Sequence, residues 1–238
     1  MNKKYLFRIL GMSLFLIGIL LGLVLSGAAS WADLESTFYG FDEMGDEHLD
    51  TVDCPILMTT SDIGSVGATF KNPNDTPINF MVRADISNRG LFRSERMMLS
   101  LEGNESKKVT WNVTSDDIDL RNFIFAQISN YPAKKITFRQ ATCGIVTIDL
   151  PQFTGKQIFT FAIIVILVGI VGGLVLWEIY GLPLTGKLTE ITRAMKTLGV
   201  IVLVGMLVSF LGLWMFGILA IAAAVLAFGV ILGFLLAQ

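Results

Sequence analysis

The sequence predicts a membrane α-helical bundle of about four spans, with an all-β antiparallel sandwich inserted on the extracytoplasmic side after the first span. Three observations predict it. The 238 residues are 53% hydrophobic and only 16% charged, against about 25% charged in an ordinary soluble domain. Uncharged apolar runs occupy both ends, from Ile9 to Ala29 and from Leu198 to Ala237. Between them the pattern changes to short alternating runs broken by turn residues, which is the period of strands rather than helices.

Residues 1–8 form a basic N-terminus and 9–30 the first span. The 21 residues from Ile9 to Ala29, at about 1.5 Å each, cover roughly the 30 Å hydrocarbon layer. Lys3, Lys4 and Arg8 precede the run, and the next base is Lys71. The positive-inside bias therefore keeps residues 1–8 cytoplasmic and exports the region after the span. A removed signal peptide is the alternative, because Ser30 and Ala32 set small residues before Asp33. The apolar run exceeds the roughly 7–15 residues of a signal-peptide core, which favours an uncleaved anchor.

Residues 31–53 read as an acidic linker. From Asp33 to Asp53 there are eight acids and no base. Within it "FDEMGDEHLDTVDC" holds Asp42, Glu43, Asp46, Glu47, Asp50 and Asp53 with His48, the single histidine of the chain. The acids do not alternate around a glycine as a calcium loop requires, and one histidine does not make a transition-metal site. At steps of three and four Asp42, Asp46, Asp50 and Asp53 would share one helix face with Glu43 and Glu47 beside them, a docking segment for a cationic surface such as Arg89, Arg93 and Arg96, or Lys134, Lys135 and Arg139.

Residues 54–155 supply the sandwich. "INFMVRADI" sets Ile78, Phe80, Val82, Ala84 and Ile86 against Asn79, Met81, Arg83 and Asp85, and "VTWNV" repeats the alternation at Val109, Trp111 and Val113. Turn chemistry at 72–77, 87–90, 102–106 and 131–134 divides the stretch into about seven strands,. That count is similar to an immunoglobulin-like sandwich in architecture only, since Cys54 and Cys143 bracket the whole domain instead of lying on two central strands,. An exported location predicts that these two cysteines form a disulfide. The sequons at Asn74, Asn104 and Asn112 all fall in this region, where a host with the machinery would glycosylate them.

Residues 157–180 form the second span, with Trp177 and Tyr180 suited to an interfacial belt,. Residues 181–197 form a cytoplasmic loop. Its "GLPLTGKL" meets the phosphate-loop pattern except at Leu188, but lacks the strand–helix setting that gives the pattern its chemistry. On a short helix there, Leu188, Ile191, Met195 and Leu198 share one arc and would lie along the inner membrane surface,. Residues 198–238 are too long for one crossing and are expected to fold into a helical hairpin turning near Gly212 to Gly217,.

Small residues four apart recur in the spans, at Gly18 and Gly22, Gly169 and Gly173, and Gly229 and Gly233, a spacing that lets helices approach closely. The spans hold almost no ionisable group at depth, there is no H-E-x-x-H, G-x-S-x-G or C-x-x-C pattern, and Asp116 and Asp117 read as turn or cap residues. The chain therefore reads as no enzyme, with no cofactor, metal, nucleic acid or small-molecule substrate. The expected role is an accessory or structural subunit, with the lipid bilayer and other membrane subunits or its own copies as partners. An oligomeric transport or channel component, or a surface receptor or adhesin, are the alternatives.

Overall fold

The computed structural model describes residues 3–41, 47–131, 137–181 and 187–236, apart from the side-chain surroundings at 3, 181, 187, 188 and 230–236. The chain divides into two compact units, a helical one (1–30 with 159–238) and a β-rich one (31–158).

The β unit is a two-sheet sandwich. Its strands are β1 (Glu47–His48), β2 (Val52–Asp53), β3 (Leu57–Thr59), β4 (Gly64–Lys71), β5 (Ile78–Asn88), β6 (Leu91–Leu101), β7 (Ser106–Val113), β8 (Phe123–Asn130) and β9 (Arg139–Ile148). The larger sheet runs β1-β9-β8-β5-β6, with β3 also on β9; the smaller runs β2-β4-β7. Wholly antiparallel pairing was the expectation, but β1 and β3 both join β9 in parallel. The reason is connectivity: both strands precede the hairpins and reach β9, the last strand, without a tight turn to reverse them.

The longest pairing is the β5–β6 hairpin, joining Asn88 to Leu91 through Arg89 and Gly90. Both turn residues have positive φ, 44° and 87°, as a two-residue turn of matching twist requires. The alternation read in the sequence buries Phe80, Val82, Ala84 and Ile86 on one side, where they meet Val66, Phe70, Val109, Trp111 and Val113 of the smaller sheet. Each large apolar side chain so buried contributes about 1.5–3 kcal/mol.

The opposite face of β5 departs from the half-solvated reading, because Arg83 and Asp85 are buried there as well. Ser94, Tyr131 and the Phe92 ring surround the pair, and Phe41 packs on that ring in turn. Helix α1 (Lys3–Phe38) does not stop at residue 30, and its last turns belong to the β unit with Ala32 and Ser36 fully buried. A Cβ on Gly144 of β9 would overlap the Ala32 carbonyl, so a residue without a side chain stands there. Residues 31–53 are thus no uniform linker: a helix end, two short strands and the described part of the acidic run are all built into this unit.

The helical unit contains residues 3–30 of α1, then α2 (Gly155–Leu167) from Phe159 onward, α3 (Gly173–Gly181), α4 (Lys187–Phe210) and α5 (Trp214–Leu236). A π turn over Val168–Gly172 links α2 to α3 without breaking the helix. Three helices are long and apolar enough to cross a membrane, Lys4–Phe38, Gly155–Tyr180 and Thr189–Phe210. The apolar helix from Trp214 is described as far as Gly229 in that respect. The α4–α5 turn falls at 211–213, with Gly212 at φ 73°, inside the interval the sequence marked.

The amphipathic surface helix expected at 188–198 is instead the first part of α4. Met195 and Leu198 are 0% and 1% exposed, packed with Phe15, Ile170 and Val202, and Ile191 sits beside them. Their arc faces the interior of the helical unit because α1 and α3 supply apolar surface at the same level. Trp177 is likewise buried rather than set in an exposed belt. Its indole N–H donates to Thr192 Oγ1 at 2.9 Å, and the Arg8 guanidinium lies 4.4 Å from its ring centroid.

Candidate functional site

Four places on the described residues bear on function. The first is the covered face of the larger sheet. Asp33 Oδ1 accepts the Gly144 N–H at 3.0 Å, filling a stretch of the β9 edge between its pairings with β1 and β3. Arg83 Nε reaches Asp85 Oδ1 at 2.7 Å, with Tyr131 and Ser94 on its remaining nitrogens and the Phe92 ring 6.0 Å away. Tyr39 packs at a tilt against the rings of Phe125 and Phe41 and donates its hydroxyl to Asp119. Asp119 also accepts the N–H groups of Gly90 and Leu120.

Charges follow from these contacts. Burial alone would raise the Asp119 carboxyl, but its three donors outweigh that and hold it below the usual carboxylate range,. Burial, then the hydrogen bond and charge of Asp119, push the Tyr39 phenol above its ordinary value. The set ties the segment after α1 to the β5–β6 turn and the loop before β8.

The second place is an open polar cleft of about 560 Å³ between β6 and β7, lined by Arg93, Glu95, Trp111, Asn112, Asp116 and Asp117 among others. Arg93 bridges it, with Nε on Asp117 Oδ1 at 2.8 Å, Nη2 on the Asn112 carbonyl at 2.6 Å and Nη1 on Glu95. Asp117 also accepts the Thr114 N–H at 2.8 Å within a capping box. Asp116, by contrast, is exposed and donates its own N–H to Thr114.

The third place is the acidic run. Glu47 accepts Thr137 Oγ1 at 2.7 Å and Arg139 Nε at 3.0 Å. The Thr137 hydroxyl, then Arg139, lower its carboxyl. Asp53 pairs with Lys108, Asp50 and His48 are exposed, and Asp42, Glu43 and Asp46 lie outside the described residues, as do Lys134 and Lys135. The single helix face does not form over 47–53, where β1 and β2 take the chain: there Glu47 and Asp53 lie on separate strands and each gains a cation,. Arg93 is turned to Asp117 and Glu95 rather than to this run. Next to it, Cys54 and Cys143 form a disulfide with Cα atoms 6.6 Å apart.

The fourth place is inside the helical unit. Gly18 meets Gly169 and Ile170 so closely that a Cβ on it would stand 2.8 Å from the Ile170 nitrogen, and one on Gly173 would stand 2.5 Å from that of Phe15. Gly22 faces Val202 and Met206. These glycines are used within the chain, whereas Gly229 has nothing within 4 Å and Gly233 lies beyond the residues whose surroundings are described. Ser30 Oγ donates to Ser209 Oγ at 2.9 Å, which donates to the Gly205 carbonyl at 2.8 Å beside Gly217. Leu188 is outside the side-chain description.

Asp33, Tyr39, the Arg83–Asp85 pair, Asp119 and the serine pair were not singled out in the sequence. The aromatic residues Trp31, Phe38, Tyr39 and Phe41 immediately before the acidic run were the available signal, since a solvated leash has no use for them.

No protein-family model matches the chain, and no curated protein does. Among solved structures the chain is similar, at 15% identity and a TM-score of 0.32, to the CARDB domain of a Pyrococcus furiosus protein determined in complex with di-metal ions; 45% of this chain and 98% of that one are covered. A Paenibacillus cycloisomaltooligosaccharide glucanotransferase gives 13% and 0.33 over 44% of this chain, and a Listeria innocua beta-glucosidase 14% and 0.31 over 42%. The match spans only 14% and 16% of those two enzymes.

Proposed function

We propose that the protein is a non-catalytic, multi-pass membrane protein with four spans, an accessory or structural subunit that scaffolds or regulates a membrane assembly through an extracytoplasmic immunoglobulin-like sandwich. One observation carries the reading: the helical unit is apolar on its outside as well as in its core, unlike a water-soluble domain. Val24, Phe161, Val168, Leu207 and Leu226 are all 60% exposed or more, while Ser26, Ser30, Thr192 and Ser209 are buried. Such an outer surface is stable in lipid and not in water.

The disulfide supports an oxidising compartment for the sandwich,, and Lys3, Lys4, Arg8, Lys187, Arg193 and Lys196 support a cytoplasmic side for both chain ends,. With Gly18, Gly22, Gly169 and Gly173 occupied internally, the partner surface of this reading lies chiefly on the β unit. Non-catalytic chemistry is supported by the state of the polar groups, since Arg93, Asp117, Arg83 and Asp85 are all consumed in ion pairs with one another.

The test is purification from native membranes in mild detergent, followed by mass spectrometry of the proteins that stay bound. A different membrane protein recovered in constant ratio is the expected result; recovery of this chain alone would overturn the subunit reading. The cleft beside Trp111 favours a second reading, a surface receptor that binds a polar ligand there. For that, Arg93→Ala would abolish ligand binding while leaving the co-purifying protein in place.

A further inference from the structure

The larger sheet ends at β6, a strand of 11 residues with a neighbour on one side only. The hairpin turn fixes which backbone groups are free. Asn88 and Leu91 close the two-residue loop as a hydrogen-bonded pair, so alternation along the register makes Phe92, Ser94, Arg96, Met98 and Ser100 the positions whose N–H and C=O point away from β5. Tyr131 N–H, bonded to the Met81 carbonyl on the β8 side of β5 at 2.8 Å, agrees with that phase. Along this edge Leu91 is 75% exposed and Met98 69%, and Ser94 to Met97 are exposed as well. Natural edge strands are blunted by shortness, bulges, charges or cover; β6 carries the charges of Arg93, Glu95 and Arg96 but is long and unbulged, and among the described residues no strand pairs with its outer side.

We propose that β6 pairs antiparallel with β6 of a second copy of this chain, with Ser94 on the two-fold axis. Charge complementarity favours a second copy as occupant, and among registers centred on the outward-bonding residues only Ser94 sets unlike charges within the strand opposite one another,. With Ser94 opposite Ser94, the Arg93–Glu95 ion pair of one copy lies antiparallel to that of the other, so that Arg93 faces Glu95 and Glu95 faces Arg93 across the axis, Leu91 faces Met97, and Phe92 faces Arg96. Centring instead on Arg93, Glu95 or Arg96 sets like charges directly opposite one another, which is unfavourable. The chosen register also sets 92, 94 and 96 against 96, 94 and 92, so that all six residues present outward N–H and C=O groups and form about six interchain hydrogen bonds. The edge becomes interior to a continuous sheet, which is the isologous contact of a closed dimer. The inference is separate from the subunit reading, since it needs only the β unit.

The test uses the full chain in nanodiscs with paired cysteines. Among the described residues there is no free cysteine, and both native ones are in the disulfide, so added thiols report alone. Leu91→Cys combined with Met97→Cys places the two new thiols opposite each other across the axis, within disulfide reach. Either substitution alone leaves identical thiols about 20 Å apart, at about 3.4 Å per residue, beyond reach. Mild oxidation is expected to convert most of the double variant to a covalent dimer and little of either single variant. Glu95→Arg, which sets Arg against Arg, is expected to lower the dimer fraction of the otherwise native chain about 10-fold or more. Equal crosslinking in all three cysteine variants, crosslinking to a different protein, or a single-chain mass for the native protein at every concentration would overturn the proposal. The dimer fraction and the crosslinking of this chain to itself are read independently of whether another protein co-purifies.

Discussion

At the scale of single residues, stability is concentrated where polar groups are buried and paired. Arg83 and Asp85 are 5% and 1% exposed, so each is stable only while the other is present. Breaking a buried pair by truncating one member costs about 3–5 kcal/mol. Asp85→Ala is therefore expected to lower the stability of the β unit by that amount in denaturant unfolding, whereas Glu47→Ala, which cuts the exposed Glu47–Arg139 pair, should leave the midpoint nearly unchanged. The Tyr39–Asp119 bond carries a pH signature. Asp119 has a folded value below its unfolded one, so its contribution is present above about pH 4 and is lost as pH falls through the folded value. Tyr39 is raised, so its contribution is complete below about pH 10 and is lost as pH rises through the higher folded value. Tyr39→Phe is expected to lower stability by about 0.5–1.5 kcal/mol between those limits. Thermal midpoints of native and variant protein should converge at both ends of the pH range; a gap that does not vary with pH would show that the bond is not what the phenol contributes.

At the scale of elements, the helices are positioned by close backbone approach and the sheets by cross-strand burial. A Cβ on Gly169 would stand 2.9 Å from the Gly18 Cα, while one on Gly229 would meet open space. Gly169→Ala should force α1 away from the π turn and cost about 1–3 kcal/mol of stability in detergent; Gly229→Ala should be close to neutral, and in a helix interior even slightly favourable. Thermal unfolding of the two variants side by side checks this, and equal effects would place the helix contact elsewhere. The same elements mark what the sequence makes legible. Apolar runs and period-2 alternation are local signals, and they placed the long helices, the β5–β6 hairpin, the buried face of β7 and the turn near Gly212. Which side of an amphipathic arc meets protein is a non-local question. Met195 and Leu198 carry the same pattern whether they face lipid or Phe15, so their burial was not readable. Arg83 and Asp85 look like a solvated strand face for the same reason: their surroundings include Tyr131, 48 positions from Arg83, and Phe92, on which Phe41 packs.

At the scale of the whole molecule, the chain is two compact units whose stabilities rest on different terms. The helical unit holds through packing and a few buried hydroxyl bonds. The β unit adds a covalent tie, Cys54–Cys143, across a sequence separation of 89 residues. Closing a loop of that length removes unfolded-state entropy equivalent to about 4–5 kcal/mol, with measured effects spanning about 2–5. That gain belongs to the unit whose unfolded chain is constrained, because the tie lies wholly within residues 31–158. Replacing both cysteines by serine is therefore expected to raise amide exchange across β4 to β9 by a factor of roughly 30 or more, while amides of α4 and α5 keep their native rates. Exchange followed by mass spectrometry on the full chain reads both units in one experiment. Equal acceleration in both would mean that they unfold as a single cooperative body, and no acceleration in the β unit would mean that its core and its buried ion pair already suffice without the tie.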